Sequence, residues 1–183
     1  MKPTITICSD ASYKKFYKQS ISAWACYIRT PKRTIKTSGL IKSQINGSTT
    51  AEMYGIANAL YLADQVEDLS KFRVIVYCDN LKALQKKVRN PYTPKSKYYA
   101  EKQAKKEWHD TYIKKYIDKC REYETRHVKG HLAKSKWSKT SKRNYMNDWC
   151  DTEAKRVMHS ELNIRKGEIK AGADEQRIPA PIK

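Results

Sequence analysis

The chain has 183 residues, 39% of them hydrophobic, and carries 38 Lys and Arg against 19 Asp and Glu, a formal net charge of +19. One domain with a sizeable core is expected at this length, and the positive excess points to a polyanionic partner. No apolar run suggests a membrane span, and the polar start MKPTITICSDAS is not expected to act as a secretory leader.

The charge is uneven. Between Lys82 and Arg143 there are 20 Lys or Arg against 6 Asp or Glu, more than a soluble surface alone requires, and a nucleic acid is the favoured partner. The five cysteines, at 8, 26, 78, 120 and 150, are odd in number and form no C-x-x-C pair. They fit small buried hydrophobes in a reducing, intracellular (cytoplasmic) compartment. A structural zinc is disfavoured, because His127 and His131 have no cysteine pair beside them. Monomer is the default expectation, with no small-molecule cofactor.

In chain order, TITICS reads as a first strand that Asp10 ends or interrupts. SISAWACYIR, from Ser20 to Arg29, puts Ile21, Ala23, Ala25 and Tyr27 on one face of a second. RTIKTSGLIK, from Arg33 to Lys42, is the third, and the short connections predict an antiparallel meander. After the loop SQINGS, a helix is predicted from about Thr50, with Met53, Ile56, Ala57, Leu60 and Ala63 as its apolar stripe. FRVIVYCDN has the continuous apolar run of a strand buried on both faces, parallel to the first.

NLKALQKKV predicts a short helix, ended by the prolines of RNPYTPKSK. A longer helix is predicted from about Tyr99 to Arg121, its apolar side formed by Ala104, Trp108, Tyr112, Ile113, Tyr116, Ile117 and Cys120. Core packing is preferred to base stacking for Trp108, Tyr112 and Tyr116. YETRHVKG is the last predicted strand, HLAKSKWSKTSKRN a basic loop, and NDWCDTEAKRVMHSEL a final helix. The tail from Asn163 is expected to be weakly ordered, giving a catalytic domain over 1–162 and a tail over 163–183.

Three acids stand out by position. Asp10 lies in or at the end of a core strand, where an ionised carboxylate is costly unless paired or metal-bound. Asp79 directly follows the fourth strand, and Glu52 opens the crossover helix. Ordinary explanations exist: Thr49-Thr50-Ala51-Glu52 matches a capping box, and Asp79 could start the next helix. Clustered carboxylates repel and raise one another's pKa. A divalent cation removes that penalty, so an acidic pocket within a basic surface suits a nuclease using magnesium.

The order Asp, Glu, Asp on strand, helix and strand, followed by HVKGH (His127–His131) and NDWCDTEAKR (Asn147–Arg156), resembles type 1 ribonuclease H. The likeness covers about residues 4–160. It implies the α/β ribonuclease H-like fold, a mixed five-stranded sheet flanked by helices. It implies two Mg2+ ions, or Mn2+ in their place, held by Asp10, Glu52, Asp79 and Asp151, with Asp10 bridging both. Asp148 is the reserve for Asp151, since any acid early in that helix gains from its dipole. His131, on its loop, would handle a proton or assist product release.

The implied reaction is endonucleolytic hydrolysis of the RNA strand of an RNA–DNA hybrid, leaving a 5′-phosphate. By analogy Ser12, Ser48, Thr49 and Asn80 would meet the 2′-hydroxyl. Lys86, Lys87 and Arg89, in the place of a basic protrusion, and Lys134 and Lys136 around Trp137 would grip phosphates. The chain departs from the pattern at Ala11, where the family has glycine, at YKKFYKQS between the first strands, and at Ser48 and Thr49 before the helix acid. Two rivals stay open: a nuclease of this fold acting on DNA or branched nucleic acid, and a non-catalytic binder.

Overall fold

The computed structural model of the protein describes residues 3–129 and 142–175. Strand β1 (Thr4–Phe16) turns back into β2 (Gln19–Arg29), which turns into β3 (Thr34–Leu40). Helix α1 (Ser48–Val66) crosses to β4 (Arg73–Cys78). Helix α2 (Tyr99–His109), a π turn (Asp110–Lys114) and α3 (Lys115–Lys119) then lead to β5 (Glu122–His127). Helix α4 (Lys142–Glu175) completes the described chain.

The five strands form one sheet in the order β3-β2-β1-β4-β5. The meander is antiparallel, as predicted, while β1 with β4 and β4 with β5 are parallel. Helices cover both faces, so the alternation of β2 separates two apolar sets. Cys26 and Ile28 face α1 and join Ile5, Ile7, Val74 and Val76 in the larger core. Ala25 joins the cluster under α4, as do Ile21 and Ala23 farther along it. Truncating one of the fully buried isoleucines to Ala typically costs about 2–5 kcal/mol. No described helix is long and apolar enough to cross a membrane.

Several elements differ from the sequence expectations, each for a local reason. β1 does not stop at Asp10. It runs through to Phe16, because β2 keeps pairing with it, Asp10 opposite Ala25, beyond the last β4 pair at Cys8 and Tyr77. The β1–β2 turn places Tyr17 at φ 53, a left-handed conformation usually left to Gly or Asn. NLKALQKKV makes one turn, in which Ala83 and Leu84 donate to the Asn80 carbonyl, and is otherwise non-helical.

The 99–119 helical run exists, but its π turn inserts one residue per turn and rotates the face beyond it. Ala104, ahead of that turn, and Tyr112, within it, are exposed, while His109 is fully buried and Ile113 and Tyr116 pack in the core. Trp108 is half-buried, between Tyr54 and Tyr112. Helix α4 starts before Asn147 and continues past Leu162 to Glu175, so Asp148 and Asp151 lie beyond the first turn, where its dipole has little hold.

Candidate active site

The site begins with a mismatch of strand lengths. β4 ends at Cys78 while β1 continues, so Asp10 loses its parallel neighbour one step after the sheet opens. Crevices at the carboxyl ends of parallel strands are the usual ligand sites of such sheets. Asp79 follows β4 at that opening. Helix α1 packs close to β1 there because position 55 is glycine. A Cβ on Gly55 would meet Ser9 Oγ at 2.5 Å and the Asp10 carbonyl at 3.4 Å. One turn earlier on the same helix face, Glu52 turns inward and is buried.

Glu52 is therefore not a capping residue. The α1 N-cap is Gly47, and no side chain bonds the cap. From the other face, α4 docks under β1 through Cys150, whose thiol donates to the Cys8 carbonyl at 3.4 Å, and Asn147, which accepts from Cys8 Sγ at 3.7 Å. The next residue, Asp151, projects past that contact. Asp10, Glu52, Asp79 and Asp151 thus line a single cleft of about 620 Å³.

The electrostatics follow from burial. Asp10 is 4% exposed and Glu52 5%. Removal from water, then the charge of Asp79, raises the Asp10 carboxyl to about 7, although hydrogen bonds from Glu52 and from the Ala11 amide (2.7 Å) oppose the rise. Burial, then the neighbouring Asp10 charge, pushes Glu52 well above the usual carboxylate range. Burial and mutual repulsion thus favour one proton shared by the two carboxyls, which resist ionising together in contact. A divalent cation is the natural replacement for that proton, and an all-oxygen carboxylate set suits Mg2+ or Mn2+.

Around this pair lie groups with other partners. Lys155 Nζ donates to Asp151 Oδ2 at 2.7 Å from one turn along α4. His127, at the end of β5, has Nε2 3.0 Å from the Asp79 carbonyl, the geometry of a ring N–H donating to it. Cys78 is fully buried and its thiol donates to Glu52 Oε2 at 3.5 Å. The ligand atoms of Glu52, Cys78 and Asp79 all lie within 4.8 Å of one another. Burial, then the charge of Glu52, holds the Cys78 thiol well above its ordinary pKa.

Of the substrate-side candidates, Ser12, Ser48, Thr49 and Asn80 line the cleft. The Asn80 side chain also braces it, donating to Thr49 Oγ1 at 3.3 Å and accepting from the Lys82 and Ala83 amides. Lys86, Lys87 and Arg89 are exposed but do not line the cleft, and Lys86 Nζ donates to the Tyr123 carbonyl at 2.7 Å. His131, Lys134, Lys136 and Trp137 lie outside the described residues.

The sequence candidates omitted His127, Lys155 and Cys78. The i, i+4 spacing from Asp151 signals Lys155. The position of Cys78 directly before Asp79 signals a thiol beside Glu52 only once α1 is known to pack there.

No protein-family model matches the sequence, and no curated protein does. Solved structures do. LC11-RNase H1 in complex with an RNA/DNA hybrid superposes with a TM-score of 0.55 at 16% identity, over 87% of this chain and 99% of that one. RNase H1 from the halophilic archaeon Halobacterium salinarum NRC-1 gives 0.54 at 10% identity, over 86% and 98%. The RNase H domain of PFV, the prototype foamy virus, gives 0.58 at 16%, over 87% and 97%. Identities this low speak to architecture, and they agree with the strand order derived above: the chain has the ribonuclease H-like fold.

Proposed function

We propose that the protein is a metal-dependent ribonuclease H that hydrolyses the RNA strand of RNA–DNA hybrids inside the cell. The observation that carries this reading is the meeting of Asp10, Glu52, Asp79 and Asp151 in one cleft of a chain with net charge +19. The fold shared with LC11-RNase H1, whose structure holds an RNA/DNA hybrid, supports it. The intracellular setting rests on five free cysteines.

The four carboxylates would hold two Mg2+ ions, with Mn2+ as substitute, and such ions supply an activated water and charge stabilisation at the leaving oxygen. In the hydrolysis, the water oxygen bonds to phosphorus, the P–O3′ bond breaks and the 3′-oxygen takes a proton. The products are a 3′-hydroxyl and a 5′-phosphate. His131 is assigned the proton transfer or product release. Glu52 and Asp10 must give up their shared proton for ligation. Ser12, Ser48, Thr49 and Asn80, which line the cleft, are assigned to the ribose 2′-hydroxyl. Lys86, Lys87, Arg89, Lys134, Lys136 and Trp137 are assigned to the backbone of the hybrid, giving affinity without sequence preference and a steep salt dependence.

The test is a panel of labelled hybrid, duplex RNA, duplex DNA and branched DNA, each with a Mg2+ titration. Cutting confined to the RNA of the hybrid and abolished by Asp10→Asn supports the assignment. Cutting of DNA or branched substrates instead makes the protein a nuclease of the same fold with another substrate. Tight, salt-sensitive binding without any cutting makes it a binder.

A further inference from the structure

We propose that Glu52, Cys78 and Asp79 form a binding site for a thiophilic divalent cation of the zinc class, sharing two acids with the carboxylate cleft and taking its thiol from the core behind it. Cys78 Sγ lies 3.5 Å from Glu52 Oε2. A tetrahedral Zn2+ with Zn–S near 2.3 Å and Zn–O near 2.0 Å sets its sulfur and oxygen ligands about 3.5 Å apart. The two atoms already stand one ligand edge from each other, and Asp79 offers an oxygen within 4.8 Å of both. Three protein donors and one water complete a four-coordinate site.

Rigid elements hold the donors. Cys78 is the last residue of β4, in register with His127 of β5. Glu52 is on α1 where Gly55 allows the helix close to the sheet. Both side chains are more than nine-tenths buried, so the ion would be shielded from water on that side. Sulfur is what separates this site from the oxygen-only site for Mg2+. Thiolate ligands favour zinc-class ions, whereas Mg2+ takes carboxylate, carbonyl and water oxygens. Ligation exchanges the S–H bond of Cys78 for an S–metal bond and releases the proton to solvent. No oxidant or reductant is needed.

The site shares Glu52 and Asp79 with the proposed magnesium centre. On the nuclease reading, which only this consequence requires, a zinc-class ion would displace Mg2+ and stop hydrolysis, and Cys78 would set that sensitivity.

Cd2+ is the probe, because a cadmium–thiolate bond gives an ultraviolet charge-transfer band that carboxylate ligation does not. The protein is titrated with Cd2+ without nucleic acid, so failure of the nuclease reading leaves the result intact. One equivalent should develop the band. Cys78→Ala should abolish it, while Cys120→Ala, which removes the half-buried thiol outside the cleft, should leave it unchanged. Glu52→Gln keeps the thiol and should weaken Cd2+ binding by about tenfold or more, the effect of removing one ligand. That variant carries the test if Cys78→Ala does not fold. A full band in Cys78→Ala, or unchanged affinity in Glu52→Gln, overturns the site.

Discussion

Removing the charge of Asp10 should make the metal-free protein more stable at pH 8, although it should destroy the proposed catalysis. The buried Asp10 carboxyl is raised from 3.8 to about 7, by burial first and by Asp79 next. Below pH 3.8 the group is protonated in both the folded and the unfolded chain and contributes no difference. Between 3.8 and about 7 the folded state binds more protons, so stability falls as pH rises; above about 7 the penalty is complete. The rise corresponds to about 4 kcal/mol, an upper figure because a strained pocket relaxes and admits water. Asp10→Asn keeps the shape and lifts that cost.

Urea unfolding in EDTA at pH 5 and pH 8, for wild type and variant, isolates the Asp10–Glu52 pair, because the titration of groups that do not interact with Asp10 cancels in the difference. The variant's advantage should grow by a few kcal/mol between the two pH values. Mg2+ should restore wild-type stability at pH 8, by about 2.7 kcal/mol at a hundredfold excess over its dissociation constant, and should do less for Asp10→Asn. An advantage that does not change with pH would refute the buried carboxyl pair, and with it the account of why this cleft attracts a cation.

Gly55→Ala should cost about 1–3 kcal/mol in urea unfolding, because its Cβ would press on Ser9 Oγ at 2.5 Å. It should also lower hybrid cleavage by moving Glu52 away from Asp10. Lys155→Ala removes the cation that holds Asp151 at 2.7 Å. For a partly exposed pair worth about 0.2–1 kcal/mol, the Mg2+ concentration for half-maximal cleavage should drop by up to about fivefold; an increase would mean that Lys155 serves the substrate instead. Tyr17→Gly relieves a left-handed backbone at a side chain 78% exposed. It should raise the urea midpoint through a gain of about 0.5–1 kcal/mol, with cleavage unchanged.

How much of this was legible in the sequence depends on whether the signal was local. The alternation of β2 and the stripe of α1 are periodic, and both appear with the faces expected. The places of Glu52 near the start of α1 and of Asp79 directly after β4 were also readable, whereas Asp10, read as ending or interrupting β1, stands inside it. What failed needed knowledge of a neighbour. Thr49-Thr50-Ala51-Glu52 has the letters of a capping box, yet Glu52 faces Asp10, a preference set by the approach at Gly55. The stripe drawn through Ala104 and Tyr112 missed the register of the helix: the buried line runs through His109, Ile113 and Tyr116, spaced i, i+4, i+7, and a histidine was not read as a core residue. His109 is anchored there with Nε2 3.0 Å from the Gln85 carbonyl, tying the irregular 80–98 segment to the helix.

Asp10 joins the two kinds of information. By itself a carboxylate in TITICSDAS looks like the end of a strand, since a lone buried charge opposes folding. In the sheet the strand continues, because β2 supplies backbone partners on one side through Phe16. β4 withdraws support on the other side after Cys78. The acid is therefore held rigidly by a ladder on one edge and left open on the other, with Asp79 placed at the same opening. A cation site needs this combination: charges too rigid to move apart and too buried to be relieved by water. The unequal lengths of β1 and β4 supply it, and lengthening β4 by pairing residue 79 with β1 would close the cleft as surely as removing an acid.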